Sequence, residues 1–360
     1  MSADQKICFF LGANSPQGFY SLYDQLIDPA QARAIYILKG GPGCGKSSLM
    51  RRVAQRAEKA GEAVEYIHCS GDPDSLDAVH FPDLGVAIVD GTAPHVVEPK
   101  YPGVVESYVN LGDCYDKAAL GDIRREIMGC MAGYEDCYKR AYRCLGAAAE
   151  ISEDMRAILT TNTLEAKAEK RAKGILTREV RKAGTGSGQV VQRFLGAVTH
   201  QGPVLYYPAA EALCKRIYVL EDSYGLSHLL LTHLLAGITA AGYDVIACPS
   251  PMAPDRLEHL IVPGLSLAFR SASPARPYDR RPYRRIRVDA MADAELVRRN
   301  KARLRFSRKV SAALVEEAVA SLAQAKAMHD DLEALYNPHV DFDRVYQTAD
   351  DLAKEILGAQ

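Results

Sequence analysis

None of the nine cysteines stands in a C-x-x-C pair, and several fall in apolar runs where cysteine behaves as a small hydrophobe. Neither a zinc site nor a disulfide frame is expected, and the pattern fits reduced thiols in a cytoplasmic protein. The N-terminal residues MSADQKICFFLGA carry too little positive charge and too short an apolar run for a signal peptide. No run reads as a membrane span; the nearest, GLSHLLLTHLLAGITAAG, is interrupted by Ser, Thr and two His, so no membrane partner is expected. Net charge is nearly absent too, at −1, but it is unevenly spread. Residues 270 to 309 hold 14 Lys and Arg against 4 Asp and Glu, so that stretch carries +10 and the rest of the chain −11. Something acidic, inside the chain or outside it, is expected to face it. The remainder is ordinary for a globular protein: 360 residues, 48% hydrophobic and 25% charged, enough for two domains with separate cores.

One stretch carries a mechanism. AIYILKGGPGCGKSSLMRRVAQRAEKAGE, residues 34 to 62, contains Gly40-x-x-x-x-Gly45-Lys46-Ser47, the spacing of a phosphate-binding loop. Ile35, Tyr36, Ile37 and Leu38 before it are apolar and β-prone, as a buried strand requires. Leu49, Met50, Val53 and Ala54 after it recur at helical spacing, with Arg51, Arg52, Gln55, Arg56 and Lys59 on the polar face and Gly61 at the end. In that strand, loop and helix, Gly40, Gly41, Gly43 and Gly45 let the backbone curl so that its N–H groups converge on phosphate oxygens. Cys44 and Ser48 complete the expected cradle. The helix N-terminus adds partial positive charge, Lys46 is expected on the β- and γ-phosphates, and the Ser47 hydroxyl on Mg²⁺.

A carboxylate near the metal is expected at the end of a second buried strand, and LGVAIVDGTAPH supplies Asp90 there. Many ATPases of this kind follow that Asp with a Glu that orients the attacking water; here the position is Gly91, and His95 in the same loop is the nearest substitute. Asp72 and Asp74 in HCSGDPDSLDAV read either as turn and helix caps or as the base of a kinase acting on a hydroxyl acceptor. No N-K-x-D guanine-reading sequence is present, which favours ATP over GTP.

Self-similarity divides the chain in two. FLGANSPQG at 10 to 18 returns as FLGAVTHQG at 194 to 202, identical at six of nine positions. IYIL at 35 to 38 returns as IYVL at 217 to 220, VEYIHC as YDVIAC, and Pro82, Leu84 and Ala87 as Pro263, Leu265 and Ala268. Helical stripes repeat as well: Met128, Met131, Tyr138, Tyr142, Leu145 and Met155 in one half, and Leu314, Ala318, Leu322, Met328, Leu332 and Leu335 in the other.

KGGPGCGKSSLM, VDGTAPH, the FLGANSPQGFYSLYD lead-in and the tandem layout together resemble an uncharacterised family of bacterial tandem P-loop ATPases, over essentially the whole chain. The resemblance implies a cytosolic ATP-binding protein. It implies an α/β fold of two P-loop NTPase-like three-layer domains, residues 1–186 and 187–360. Each domain would carry an antiparallel helical hairpin, at about 115–182 and 292–358, with KAGTGSGQ as the junction. The second half departs from the family pattern, since many members keep an intact second phosphate loop. Laid on the first copy, YVLEDSYGLSHLLL replaces Gly40 by Asp222, Gly45 by Ser227, Lys46 by His228 and Ser47 by Leu229, keeping only Gly225 for Gly43; Ser271 replaces Asp90. A second MgATP is therefore not expected. LLLTHLLAGITAAG has almost no polar face and is expected to be buried nearly all round. Three readings stand for the basic stretch SASPARPYDRRPYRRIRVD: Arg280, Arg281, Arg284 or Arg285 reaches the first-half phosphates, or the Arg-Tyr alternation binds nucleic acid, or the charges pair internally. The function expected is an ATPase with one active site, with a small-molecule kinase or a slow nucleotide-dependent switch as alternatives.

Overall fold

The structure is a computed structural model that describes residues 6–93, 96–131, 133–182, 184 and 186–358. The first half runs β1 (Ile7–Phe10), a hairpin of β2 (Gly12–Ser15) and β3 (Gly18–Ser21), then β4 (Ala34–Lys39), α1 (Lys46–Ala60), β5 (Glu65–His68), β6 (Leu76–Phe81), β7 (Val86–Asp90) and β8 (Glu106–Asn110). Four helices follow: α2 (Lys117–Asp122), α3 (Arg124–Met131), α4 (Tyr134–Leu159) and α5 (Asn162–Glu179). The second half runs β9 (Val190–Gln192), the hairpin β10 (Gly196–Thr199) and β11 (Gly202–Leu205), α6 (Tyr207–Leu213), β12 (Arg216–Glu221), α7 (Ser227–Ala240), β13 (Val245–Ser250), β14 (Ala253–Val262), β15 (Leu267–Ala272) and β16 (Arg284–Arg287). It ends in α8 (Ala294–Arg299), α9 (Lys301–Tyr336) and α10 (Phe342–Leu357).

The protein is thus α/β, with two mixed sheets of six strands. Their orders, β1-β5-β6-β7-β4-β8 and β9-β13-β14-β15-β12-β16, are the same order in corresponding strands. In each, only the third strand runs against its neighbours, so β4 and β7, like β12 and β15, are adjacent and parallel. Leu38 pairs with Asp90 and Leu220 with Ser271, which sets Asp90 and Ser271 at equivalent places in the two sheets.

Strands such as AIYIL and VAIVD are apolar on both faces, and both must be covered. Tyr36, Leu38, Val86 and Ile88 meet α1 and α10; Tyr218, Leu220, Leu267 and Phe269 meet α7 and α5. The opposite faces share one core, in which Phe9, Phe10, Ile37 and Val89 join Phe194, Val219 and Ala268. Phe10 and Phe194 exchange backbone hydrogen bonds of 2.9 Å across the junction of the halves. Two α/β halves are thus present, and one face of each sheet is closed by the other half.

The expected hairpins do not close on themselves. α4 packs antiparallel along α9, with Arg140 on Glu317, Ser152 on Ser311 and Arg303 on Asp154. α5 crosses to the second sheet, where Tyr218 Oη donates to Glu179 at 2.6 Å; α10 crosses to the first, where Tyr36 Oη donates to Glu355 at 2.8 Å. Each half therefore lends its last helix to the other, where the apolar face of that helix is buried. Met128 and Met131, read as core stripe, are mostly exposed, whereas Leu145 and Leu322 are buried. Leu230 and Leu234 of α7 are wholly buried as expected, but Thr232, His233 and Ala236 face solvent, so α7 keeps an exposed stripe.

One buried ion pair also ties the halves. The Arg193 guanidinium grips Glu65 through two contacts of 2.9 and 3.2 Å, and His80 Nδ1 lies 2.9 Å from the same carboxylate. Burial alone would raise the Glu65 pKa, but Arg193 and then His80 outweigh it and hold it at about 2. No helix among the described residues is long and apolar enough to cross a membrane.

Candidate functional site

The glycine-rich loop leaves the C-terminal end of β4 and enters α1 between the ends of two flanking strands, β7 and β8. Gly43 and Gly45 take φ of 68° and 83°, the left-handed conformation that side chains resist. Gly45 caps α1 without a side-chain acceptor, so the N–H groups of the first turn open toward the loop interior. Lys46 is folded back onto the loop, its Nζ donating to Gly40 O at 2.9 Å and Gly41 O at 3.0 Å. The same Nζ lies 3.6 Å from Asp90 Oδ2, and both side chains are nearly buried. Asp90 Oδ1 accepts from Thr92 N at 2.8 Å and Thr92 Oγ1 at 2.6 Å. Burial raises the Asp90 pKa, with Lys46 and Thr92 opposing. Ser47 Oγ accepts the Leu76 N–H at 3.0 Å, Ser48 is exposed on the first turn, and Cys44 is buried beneath Gly40. Lys46, Asp90 and the loop are thus together; His95 lies outside the described residues.

Gly91 has a steric reason. A Cβ there would lie 2.4 Å from Ile37 Cγ2 and 3.2 Å from Val97 O, so the Glu found at this position in many ATPases does not fit this backbone. Asp72 is occupied as a cap: its carboxylate accepts from Asp74 N and Ser75 Oγ and pairs with Lys326 at 3.5 Å. The carboxylate that sequence reasoning missed is Asp77, one residue beyond the β6–β7 pair Ala78–Val89, close enough to Asp90 to help raise its pKa and bonded to Tyr23 Oη at 2.6 Å. A buried Asp inside a mostly apolar strand, LDAVHF, was the available signal.

The second half supplies the other wall. Gly43 N donates to Glu333 Oε1 of α9 at 3.2 Å, and a Cβ on Gly43 would strike Asn337. Phe342 and Val345 of α10 pack under Gly45, while Tyr115 lies against Gly41 and donates to Pro42 O at 3.1 Å. Beside Tyr115 is a cavity of about 380 Å³ between residues 113–116 and 338–341. No local pattern marks Glu333 or Asn337, since they reach the loop only through the packing of α9.

The corresponding loop of the second half is closed from within. Asp222 takes the Tyr224 N–H at 3.1 Å and the Ser227 N–H at 2.6 Å, and also the Ser227 hydroxyl. Ser227 Oγ meets Ser271 Oγ, which stands at the place of Asp90, at 2.7 Å, while His228, at the place of Lys46, does not reach it. Gly225 keeps a positive φ of 73° with Arg156 of α4 against it. His228 turns to Gly225 O and Arg256, and burial lowers its pKa. Asp222 therefore acts as an internal anion rather than as simple repulsion.

In the basic stretch, Arg280 pairs with Glu211, Arg285 with Glu221, and Arg284 lies over Tyr283. Arg281 lines a cavity of about 320 Å³ with Lys215 and Tyr278. All these partners belong to the second half; the contact expected of an arginine reaching the first-half loop is not among them.

Among the described residues no group of three or more His, Cys, Asp and Glu is arranged to hold a metal. That composition is still compatible with Mg²⁺, which keeps several waters and takes one or two protein oxygens beside phosphate. Ser47 and Asp90 are that kind of donor set. Comparison with protein-family models, with curated proteins and with solved structures found no match to this chain.

Proposed function

We propose that the first half binds one nucleoside triphosphate, ATP on the sequence reading, with Mg²⁺, and hydrolyses it, while the second half serves as scaffold. The supporting observation is the contact of Lys46 with Asp90 at the mouth of a left-handed glycine loop, at the C-terminal ends of adjacent parallel strands. Ligands of open α/β sheets gather at that edge.

On this reading the loop N–H groups and the α1 N-terminus take the phosphates, and Lys46 exchanges its loop carbonyls for β- and γ-oxygens. Ser47 and Asp90 would hold the ion, directly or through water, and the ion would neutralise charge on the leaving phosphate. Asp90 would be free to face the ion once Lys46 left it, and Thr92 holds its other oxygen in place. The cavity beside Tyr115 is of a size to take part of the nucleoside. Calorimetry with MgATP and measurement of released phosphate test the proposal. One equivalent bound and turnover abolished by Lys46→Ala are expected; no binding by the wild-type chain would falsify it.

A further inference from the structure

Both glycine loops have a carboxylate on their backbone N–H groups, but they obtain it differently. In the second half Asp222, a member of the loop itself, takes two of them, and Asp289 takes the Ser223 N–H at its edge. In the first half the equivalent position is Gly40, and the carboxylate is Glu333 from the last turn of α9. Glu333 stands three residues before the end of α9, and Arg156, which lies against Gly225, stands three residues before the end of α4. The two long helices therefore present opposite charges to the two loops at the same place. A loop with its own anion meets a cation, and a loop without one meets an anion.

We propose that Glu333 is an internal stand-in for phosphate, closing the first-half loop in the nucleotide-free protein and leaving it when a triphosphate enters. The inference rests on the nucleotide reading above and adds a regulatory contact to that site. Asp222 cannot leave, because only two to five residues separate it from the N–H groups that it takes. Glu333 can: it is about one third exposed and joined to the loop by the single hydrogen bond to Gly43. His329, one turn earlier on α9, already lies 3.4 Å from the same Oε1, so the carboxylate keeps that partner when it leaves Gly43. Two anions cannot share the Gly43 N–H, so a bound phosphate repels Glu333 and loosens the end of α9, where Asn337 also touches the loop. α9 is about 54 Å long, packs along the shorter α4 of about 39 Å and also touches β10 at the junction of the halves, so its loosened end belongs to a helix that spans both loops' surroundings.

The test uses the full chain. Glu333→Gln keeps the shape and removes the charge, and it is expected to tighten MgATP binding about tenfold by calorimetry, with Lys46→Ala as the non-binding control. Hydrogen exchange of residues 333–341 in the wild-type chain is expected to quicken when MgATP is added, a readout that does not depend on the variant folding. Equal or weaker binding by Glu333→Gln, with the wild type binding normally, overturns the closure and leaves the nucleotide site standing. Unchanged or slower exchange overturns release of the α9 end. Absence of MgATP binding by both the wild type and Glu333→Gln overturns the nucleotide reading together with this one.

Discussion

The loop at 40–47 and the loop at 222–229 occupy the same place in sheets of the same order, and they differ in who satisfies their N–H groups. In the second, Asp222 of the loop itself takes the Tyr224 and Ser227 N–H groups, Ser227 meets Ser271, and Asp289 takes the Ser223 N–H at 2.8 Å. In the first, a lysine bends back onto its own carbonyls and a carboxylate arrives from a distant helix. A backbone curl built from left-handed glycine is present in both, at Gly43 and Gly225, so the curl does not distinguish them. What separates them is whether the polar groups inside the curl are spent on one another.

The largest effect is expected where the halves depend on each other. Arg193→Ala leaves Glu65 buried without its main partner and should cost about 3–5 kcal/mol in denaturant unfolding. Because the folded Glu65 pKa, about 2, is below its ordinary 4.5, the stabilisation is complete above pH 4.5 and is lost as pH falls toward 2. The acid limb of the stability curve between those values should flatten in Arg193→Ala; an unchanged limb would assign it to other carboxylates. Next comes function: Lys46→Ala should abolish MgATP binding and turnover, a loss of more than about a hundredfold, and His228→Ala should leave both within about twofold. Comparable losses in the two variants would mean that the second loop takes part. Gly91→Glu should destabilise the chain by about 1–3 kcal/mol and fail to raise phosphate release, since its Cβ collides with Ile37. Finally, Asp222→Ala should cost about 1–2 kcal/mol, by thermal melting, and leave nucleotide stoichiometry at one. A second equivalent bound by that variant would show that Asp222 alone had kept the second loop closed.

Much of this was legible locally. Strand, glycine loop and helix follow from AIYILKGGPGCGKSSLM because apolar runs, backbone freedom and helical periodicity act over a few residues. Asp90 could be placed for the same reason, as the last residue of an apolar strand. Met128 and Met131 could not, since an apolar helical stripe does not say whether a partner surface exists for its end. Asp77 was hidden by nearer acids, Asp72 and Asp74, which turned out to hold a turn.

The amino-acid sequence by itself determined the repeat, the two loops and the absence from the second of counterparts to Lys46 and Ser47, because these depend on residue type and short spacing. Only the tertiary structure decided that α5 and α10 change places between the halves, that the two sheets share a core, and that Glu333 reaches Gly43. Those outcomes depend on which apolar faces bury one another and on groups separated by hundreds of residues, 290 in the case of Gly43 and Glu333, which local pattern does not encode.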